Sequence, residues 1–306
     1  MLREYGVVSR CLSLVPNNPG NPYTTIAGAI MIIFAFFNIL SNSLLIFALY
    51  KSKQLRTFSN KFILIMTVSD LCLGMFAKPI LGAFWISSRQ RNCLELKSVE
   101  FTVIFLGYIS FFMIITISLD RYLHVAKPIR YQTMMNTNRM TLLVVSCLIS
   151  GLVAATITVI WESFYRQLTI VIFNFSLKTV FLILNTKTLK TLERHQENAV
   201  FRFQPGNRKD TSNFRTERLA AVKTICLVLG LFLICYIPYD VSSVFWTYRK
   251  FNRNSAPGVL LDTIYIWSSV IAASVSFLNS LIFIHGNTKC RRVVGSLLFK
   301  SSEAPW

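Results

Sequence analysis

Charge is what this sequence has least of, and acidic charge above all. Asp and Glu number 13 against 32 Lys and Arg in 306 residues, and charged residues together make up only 15 %, where an ordinary soluble domain carries about 25 %. With 53 % hydrophobic residues and a mean hydropathy of +0.51, that shortage excludes an ordinary soluble fold and indicates a membrane protein. Histidine is scarcer still. His124, His195 and His285 are far apart in sequence and lie at or beyond the cytoplasmic boundary, so no metal or nucleophile set of an enzyme emerges. Residues 1–23 lack a continuous apolar run of signal-peptide length, and the first apolar span is expected to serve as its own uncleaved signal. No internal repeat is visible, which weighs against a transporter.

What the chain has instead is seven apolar runs: Thr24 to Tyr50, Asn60 to Phe84, Ser98 to His124, Arg139 to Trp161, Tyr165 to Lys190, Arg218 to Trp246 and Val259 to His285. The third contains 19 residues without a charge, Phe101 to Leu119, about 28 Å of helix and one hydrocarbon core. The fold class is therefore an all-α seven-transmembrane bundle, with residues 1–23 as an extracellular segment, 24–286 as the membrane domain and 287–306 as a surface helix and short tail. With the amino end outside, 21 of the Lys and Arg fall in cytoplasmic segments and 9 in external ones, in keeping with the rule that basic loops stay inside. A net charge of +19 would suggest nucleic acid in a soluble chain. Distributed this way it suits the anionic lipid leaflet instead, with no nucleic-acid partner. Thr191 to Glu217, polar and carrying Pro205-Gly206, reads as a mobile cytoplasmic loop. Asn287 to Lys300 spaces Val293, Val294, Leu297 and Leu298 among basic residues, the pattern of a helix lying on the membrane surface.

Polar groups inside the spans carry most of the information. Asp70 lies about 13 Å into the membrane, where an ionised side chain costs about 2.5–3.5 kcal/mol, and it needs partners. Asn42, Ser110, Ser276 and Asn279 sit at comparable depth and offer oxygens for a cation or a proton; a purely structural hydrogen-bond cluster is the competing reading. Asp120-Arg121-Tyr122 closes the third span, either as a switchable ion pair or as a charge cluster that marks the membrane boundary. Pro238 removes a backbone hydrogen bond within FLICYIP (Phe232 to Pro238) and should bend the sixth span. Cys11 and Cys93 are the two cysteines in external segments, a candidate disulfide.

In order along the chain, Asn42, VSDL (Val68 to Leu71) with Pro79, DRY (Asp120 to Tyr122) with Pro128 and Tyr131, FLICYIP, and Asn279 followed by a surface helix resemble the rhodopsin-like G-protein-coupled receptors. The resemblance covers roughly Asn42 to Arg292. It implies a plasma-membrane receptor for an extracellular ligand that activates a heterotrimeric G protein. It further implies that Asp120, Arg121, Tyr122, Pro128 and Tyr131 serve coupling, that Phe232, Cys235, Tyr236, Pro238, Asn279 and Phe283 form the activation switch, and that Asp70, Ser110, Ser276 and Asn279 border a sodium ion.

This chain departs from the family pattern at several positions. Tyr236 stands where the family has Trp, and Asn279-Ser280-Leu281-Ile282-Phe283 replaces NPxxY, removing a hydroxyl. Cys93 lies three residues further from Arg121 than usual, no second-loop cysteine exists to pair with it, and the fifth span has no proline. The missing proline and the short connection between spans four and five resemble the melanocortin, cannabinoid and adenosine receptor group. A receptor-like protein with weak or lost signalling is the alternative these losses suggest.

For the ligand, the position that is acidic in amine receptors is Val103, and that of the retinal lysine is Ala273; neither amine nor retinal is expected. Lys78, Glu100, Val103, Tyr239, Asp240 and Tyr265 are the candidate pocket, suited to a peptide or a small polar molecule. In the competing reading Lys78 pairs with Glu100 or Asp240 only to satisfy buried charge.

Overall fold

The computed structural model describes residues 20–52, 58–87, 92–160, 164–202, 230–249 and 259–298. Seven helices among them are long and apolar enough to cross a membrane: Pro22–Lys51, Asn60–Ile86, Cys93–Ala126, Thr137–Ile160, Leu168–Arg194, Gly230–Arg249 and Val259–Gly286. They are numbered here as spans one to seven. Their outward faces carry Ile33, Phe36, Phe37, Ile149, Ile172 and Ile234 exposed, the lipid-facing surface of a bundle that has no water to hide from on that side.

Span one starts where Pro22, which has no N–H to lose, occupies the first turn. Asn21 before it is extended, and its carbonyl accepts from the Thr24 hydroxyl at 2.9 Å. Small residues then let the chain approach span two. A Cβ placed on Gly28 would lie 2.7 Å from the Gly82 carbonyl oxygen, and one on Gly82 would lie 2.8 Å from that of Gly28, so the two backbones touch through paired glycines, as membrane helices do when packing alone holds them together. Gly82→Ala is expected to cost about 1–3 kcal/mol by overpacking, seen as a lower melting temperature of the purified protein. Gly295→Ala, whose Cβ would meet open space, should not lower it, and equal melting of the two variants would contradict the contact.

Span two is not uniform. Its α-helix Phe58–Cys72 gives way to a π turn, Leu73–Ala77, before helix resumes at Lys78–Ile86. Pro79 is the local reason: it offers no N–H, and its ring crowds the carbonyl four residues back, that of Met75 inside the turn.

Span three, at 34 residues, runs through the middle of the bundle against spans two, four and five. Beyond it, Pro128–Met134 forms a short helix. Span five continues in one helix, Phe164–Arg202, so the segment expected as loop from Thr191 is helical as far as Arg202. Leu, Glu, Arg, Gln and Ala sustain it, and the first strong breakers, Pro205-Gly206, lie beyond. Residues 203–229, including the start expected for span six, lie outside the described residues.

The surface helix is Thr288–Leu298, capped by the Asn287 side-chain oxygen, which accepts from the backbone N–H of Lys289 at 3.0 Å and Cys290 at 3.2 Å. Cys290 and Val294 bury against the core that Leu45, Met66 and Ile284 help form.

Candidate functional site

Polar groups meet at three depths. The middle level holds Asp70. Its backbone carbonyl accepts from Asn38 Nδ2 at 2.5 Å, but neither oxygen of its fully buried carboxylate has a hydrogen-bond partner among the described residues. Ser110 and Asn279 stand beside it, and Lys78 lies within electrostatic reach. Around this group Asn42 Nδ2 donates to Asn38 Oδ1 at 2.8 Å and Asn42 Oδ1 accepts from Ser280 at 2.5 Å. Ser280, which replaces the family's proline, thus ties span seven to span one.

A monovalent cation opposite Asp70 would find a carboxylate, the Ser110 hydroxyl and the Asn279 amide oxygen, but it would share that space with the charge of the Lys78 ammonium. Ser276, the fourth group expected there, is engaged otherwise: its hydroxyl accepts from the Lys78 ammonium, which also donates to the Ala273 carbonyl at 2.9 Å.

Above this level opens a cavity of about 280 Å³. Lys78, Glu100, Val103, Tyr239, Asp240 and Tyr265, the six sequence candidates, all line it, and Asp70, Ser110, Ser276 and Asn279 form its floor. The pairing of the charges differs from the expectation. Asp240 on span six is bonded to Lys178 on span five, both buried, while Lys78 turns to span seven, so the suggested Lys78–Asp240 pair is replaced by Lys178–Asp240. Lys178 and Trp246 are among the cavity residues that sequence reasoning missed. Lys178 was visible as a lysine inside a span, but no periodicity said which helix it faced. Trp246 stacks on Tyr265 at 4.7 Å and Tyr239 on Tyr265 at 6.0 Å, an aromatic wall joining spans six and seven. Nearer the outside, Arg249 holds both carboxylate oxygens of Asp262 at 3.1 Å.

From the cavity an aromatic stack leads inward. The Lys178 ammonium lies 5.4 Å from the centre of the Tyr236 ring, Tyr236 lies 4.7 Å from Phe232, and Phe232 packs on Phe111 and Phe181, each at 5.2 Å. Phe232 and Cys235 are buried. The helix of span six passes through Pro238, and the carbonyl of Ile234, four residues earlier, loses the donor that Pro lacks.

At the third level, where span three ends, Tyr131 of the short helix donates its hydroxyl to Asp120 at 2.7 Å. The guanidinium of Arg121 lies 5.5 Å from the centre of the Phe283 ring on span seven, with Asp120 in electrostatic reach. Phe283 thus meets the cation with an aromatic face where the family offers a phenol. Asn185 of span five donates to Ser118 at 3.2 Å, beside this group. Pro128 opens the short helix that carries Tyr131, and Tyr122 sits partly buried at the same boundary. Cys93, at the start of span three, is disulfide-bonded. Cys11, the expected partner, lies outside the described residues.

Residues 41–167 and 156–283 match the family model of the 7 transmembrane receptor (rhodopsin family). Among similar curated proteins, 5-hydroxytryptamine receptor 4 of Cavia porcellus is 23 % identical over 300 residues, covering 83 % of this chain and 74 % of its own. Galanin receptor 2a of Danio rerio is 26 % identical over 261 residues, 79 % of this chain and 69 % of its own. Adenosine receptor A2a of Cavia porcellus is 21 % identical over 286 residues, 83 % and 68 % respectively.

Proposed function

The chain belongs to the rhodopsin family of seven-transmembrane receptors and is a G-protein-coupled receptor, not an enzyme, and we propose that its ligand is a small polar molecule or the tip of a peptide. The observation that carries this reading is the continuous line from cavity to core: Lys178–Asp240, Tyr236, Phe232, Phe111 and Phe181. A ligand that displaces or bridges the Lys178–Asp240 pair shifts Tyr236, and Tyr236 is packed on the residue at the heart of span six. The cavity volume of about 280 Å³ admits a small molecule or a few side-chain groups, not a folded peptide. Relatives bear the names of amine receptors among others, but here Val103 faces the cavity in place of the acid that would hold a primary amine. Ala273 likewise offers no amine for retinal. The family generally needs no cofactor.

The protein is a multi-pass membrane protein. We place it in the plasma membrane with its amino end outside, because the basic residues concentrate in the segments assigned to the cytoplasm. There we assign Arg121 and its neighbours Asp120, Tyr122, Pro128 and Tyr131 to coupling with a heterotrimeric G protein, Asp120 acting from a buried position through its bond with Tyr131. The reading of a receptor with weakened signalling is favoured by one contact, the Phe283 ring against Arg121, which offers no hydroxyl to hold the guanidinium's surroundings in a second arrangement.

Screening purified receptor by thermal stability against small polar molecules and short peptides tests the ligand assignment. A compound present at 100-fold its dissociation constant adds about 2.7 kcal/mol, and Asp240→Asn should remove that gain for a ligand seated at the pair. A ligand that stabilises wild type and Asp240→Asn equally would place its site elsewhere.

A further inference from the structure

Asp70 and Lys78 are eight residues apart, which in an unbroken α-helix would turn them about 80° from each other. The π turn Leu73–Ala77 lies between them. A π turn takes up about one extra residue, so the pair behaves as if seven apart and the offset falls to about 20°. Both side chains accordingly face the same cavity. Helical side chains also lean toward the amino end, so the Lys78 stem runs down the span toward Asp70.

At its tip the ammonium bonds Ser276 and the Ala273 carbonyl, while Asn279, beside the Asp70 carboxylate, lies three residues further along span seven, about 4.5 Å of rise. Lys78 is 5 % exposed and Asp70 0 %. The carboxylate's two oxygens have no hydrogen-bond partner among the described residues, and the positive charge that acts on them is this ammonium.

We propose that Lys78 is the built-in counter-cation of Asp70: its ammonium, tethered to span two and anchored on span seven, does the work a bound sodium ion would do, and the receptor is insensitive to sodium. The charge count gives the reason. Asp70 and Lys78 together are neutral, and a sodium ion entering beside them would leave one uncompensated positive charge in a poorly hydrated pocket, which is strongly disfavoured. Ser276 is already committed to the ammonium, so an entering ion would also lose one of its expected ligands. A three-donor ammonium on a flexible stem suits the task, since it can bond span seven while its charge still acts on the carboxylate.

The test uses the purified full chain, melted at constant ionic strength while sodium chloride replaces the chloride of a bulky organic cation. Wild type should melt at the same temperature throughout. Lys78→Met should melt lower without sodium, because Asp70 has lost its compensation, and should gain a saturable, sodium-specific rise of about 5 °C. Asp70→Asn combined with Lys78→Met should abolish that rise. Lys78→Gln serves if the Met form does not fold. A sodium-specific rise in wild type, or a folded Lys78 variant with no sodium response, would overturn the proposal; if neither variant folds, the wild-type response alone decides in the same way. The readout is stability, so failure here leaves the signalling function untouched.

Discussion

Asp240→Ala is expected to lower the stability of the protein by about 3–5 kcal/mol, because it leaves the Lys178 ammonium buried without its carboxylate. The side chains of Lys178 and Asp240 are 6 % and 3 % exposed, so water cannot take over from the lost partner. The ammonium also lies over the rings of Tyr236 and Phe175 at 5.4 and 5.7 Å. Cation–π contact with two rings compensates only part of the loss, at about 0.5–2 kcal/mol each. Lys178→Ala should be similarly harmful.

Replacing both groups removes the problem. Lys178→Met with Asp240→Leu should recover most of the melting temperature, since apolar side chains of similar volume can substitute for a buried pair, while response to a ligand seated at the pair disappears. Melting curves and ligand-induced shifts on the three variants separate the structural share of the pair from its share in recognition. A single Asp240→Ala variant melting like wild type would show that the pair holds nothing together.

The pair also marks the limit of what the sequence revealed. Seven spans were legible because a bilayer demands about 20 apolar residues in a row, and the observed helices differ from the apolar runs mainly at their ends. The surface helix was legible for a different reason: lying in an interface, it has one wet and one apolar face, and Val293, Val294, Leu297 and Leu298 marked the apolar one. Inside the bundle that contrast vanishes, because lipid is as apolar as a protein core and neither face of a span need be polar. Lys178 and Asp240 could each be seen as charges within spans, yet nothing told that they meet, and Lys78 looked an equally good partner. The six cavity residues, Val103 found by counting from Arg121 and the others by their place near one end of the spans, line one cavity, because depth along each helix follows directly from counting residues. The helical extension through Arg202 was missed because a helix outside the membrane no longer needs apolar residues, only the absence of Gly and Pro.

Transmission of a ligand's arrival through this bundle to a G protein is expected to run through Arg121. A cation that only marked the membrane boundary could be Lys as well as Arg. Arg121 does more: its planar guanidinium lies against Phe283 in a position that hydrated, compact Lys fills poorly, and on coupling it is expected to make several directed hydrogen bonds to carbonyls of an inserted partner helix. Losing such charge-assisted bonds, at about 1.5–3 kcal/mol, corresponds to roughly a 10- to 100-fold loss of coupling. Because Phe283 supplies no hydroxyl, coupling by the unaltered chain is expected to be weaker than in receptors with the full motif. The decisive measurement is nucleotide exchange by a panel of G proteins on reconstituted wild-type and Arg121→Lys receptor, with ligand binding followed on the same samples. The Lys form is expected to bind ligand nearly as well as wild type and to lose most of the exchange; full exchange by the Lys form would contradict this role of Arg121.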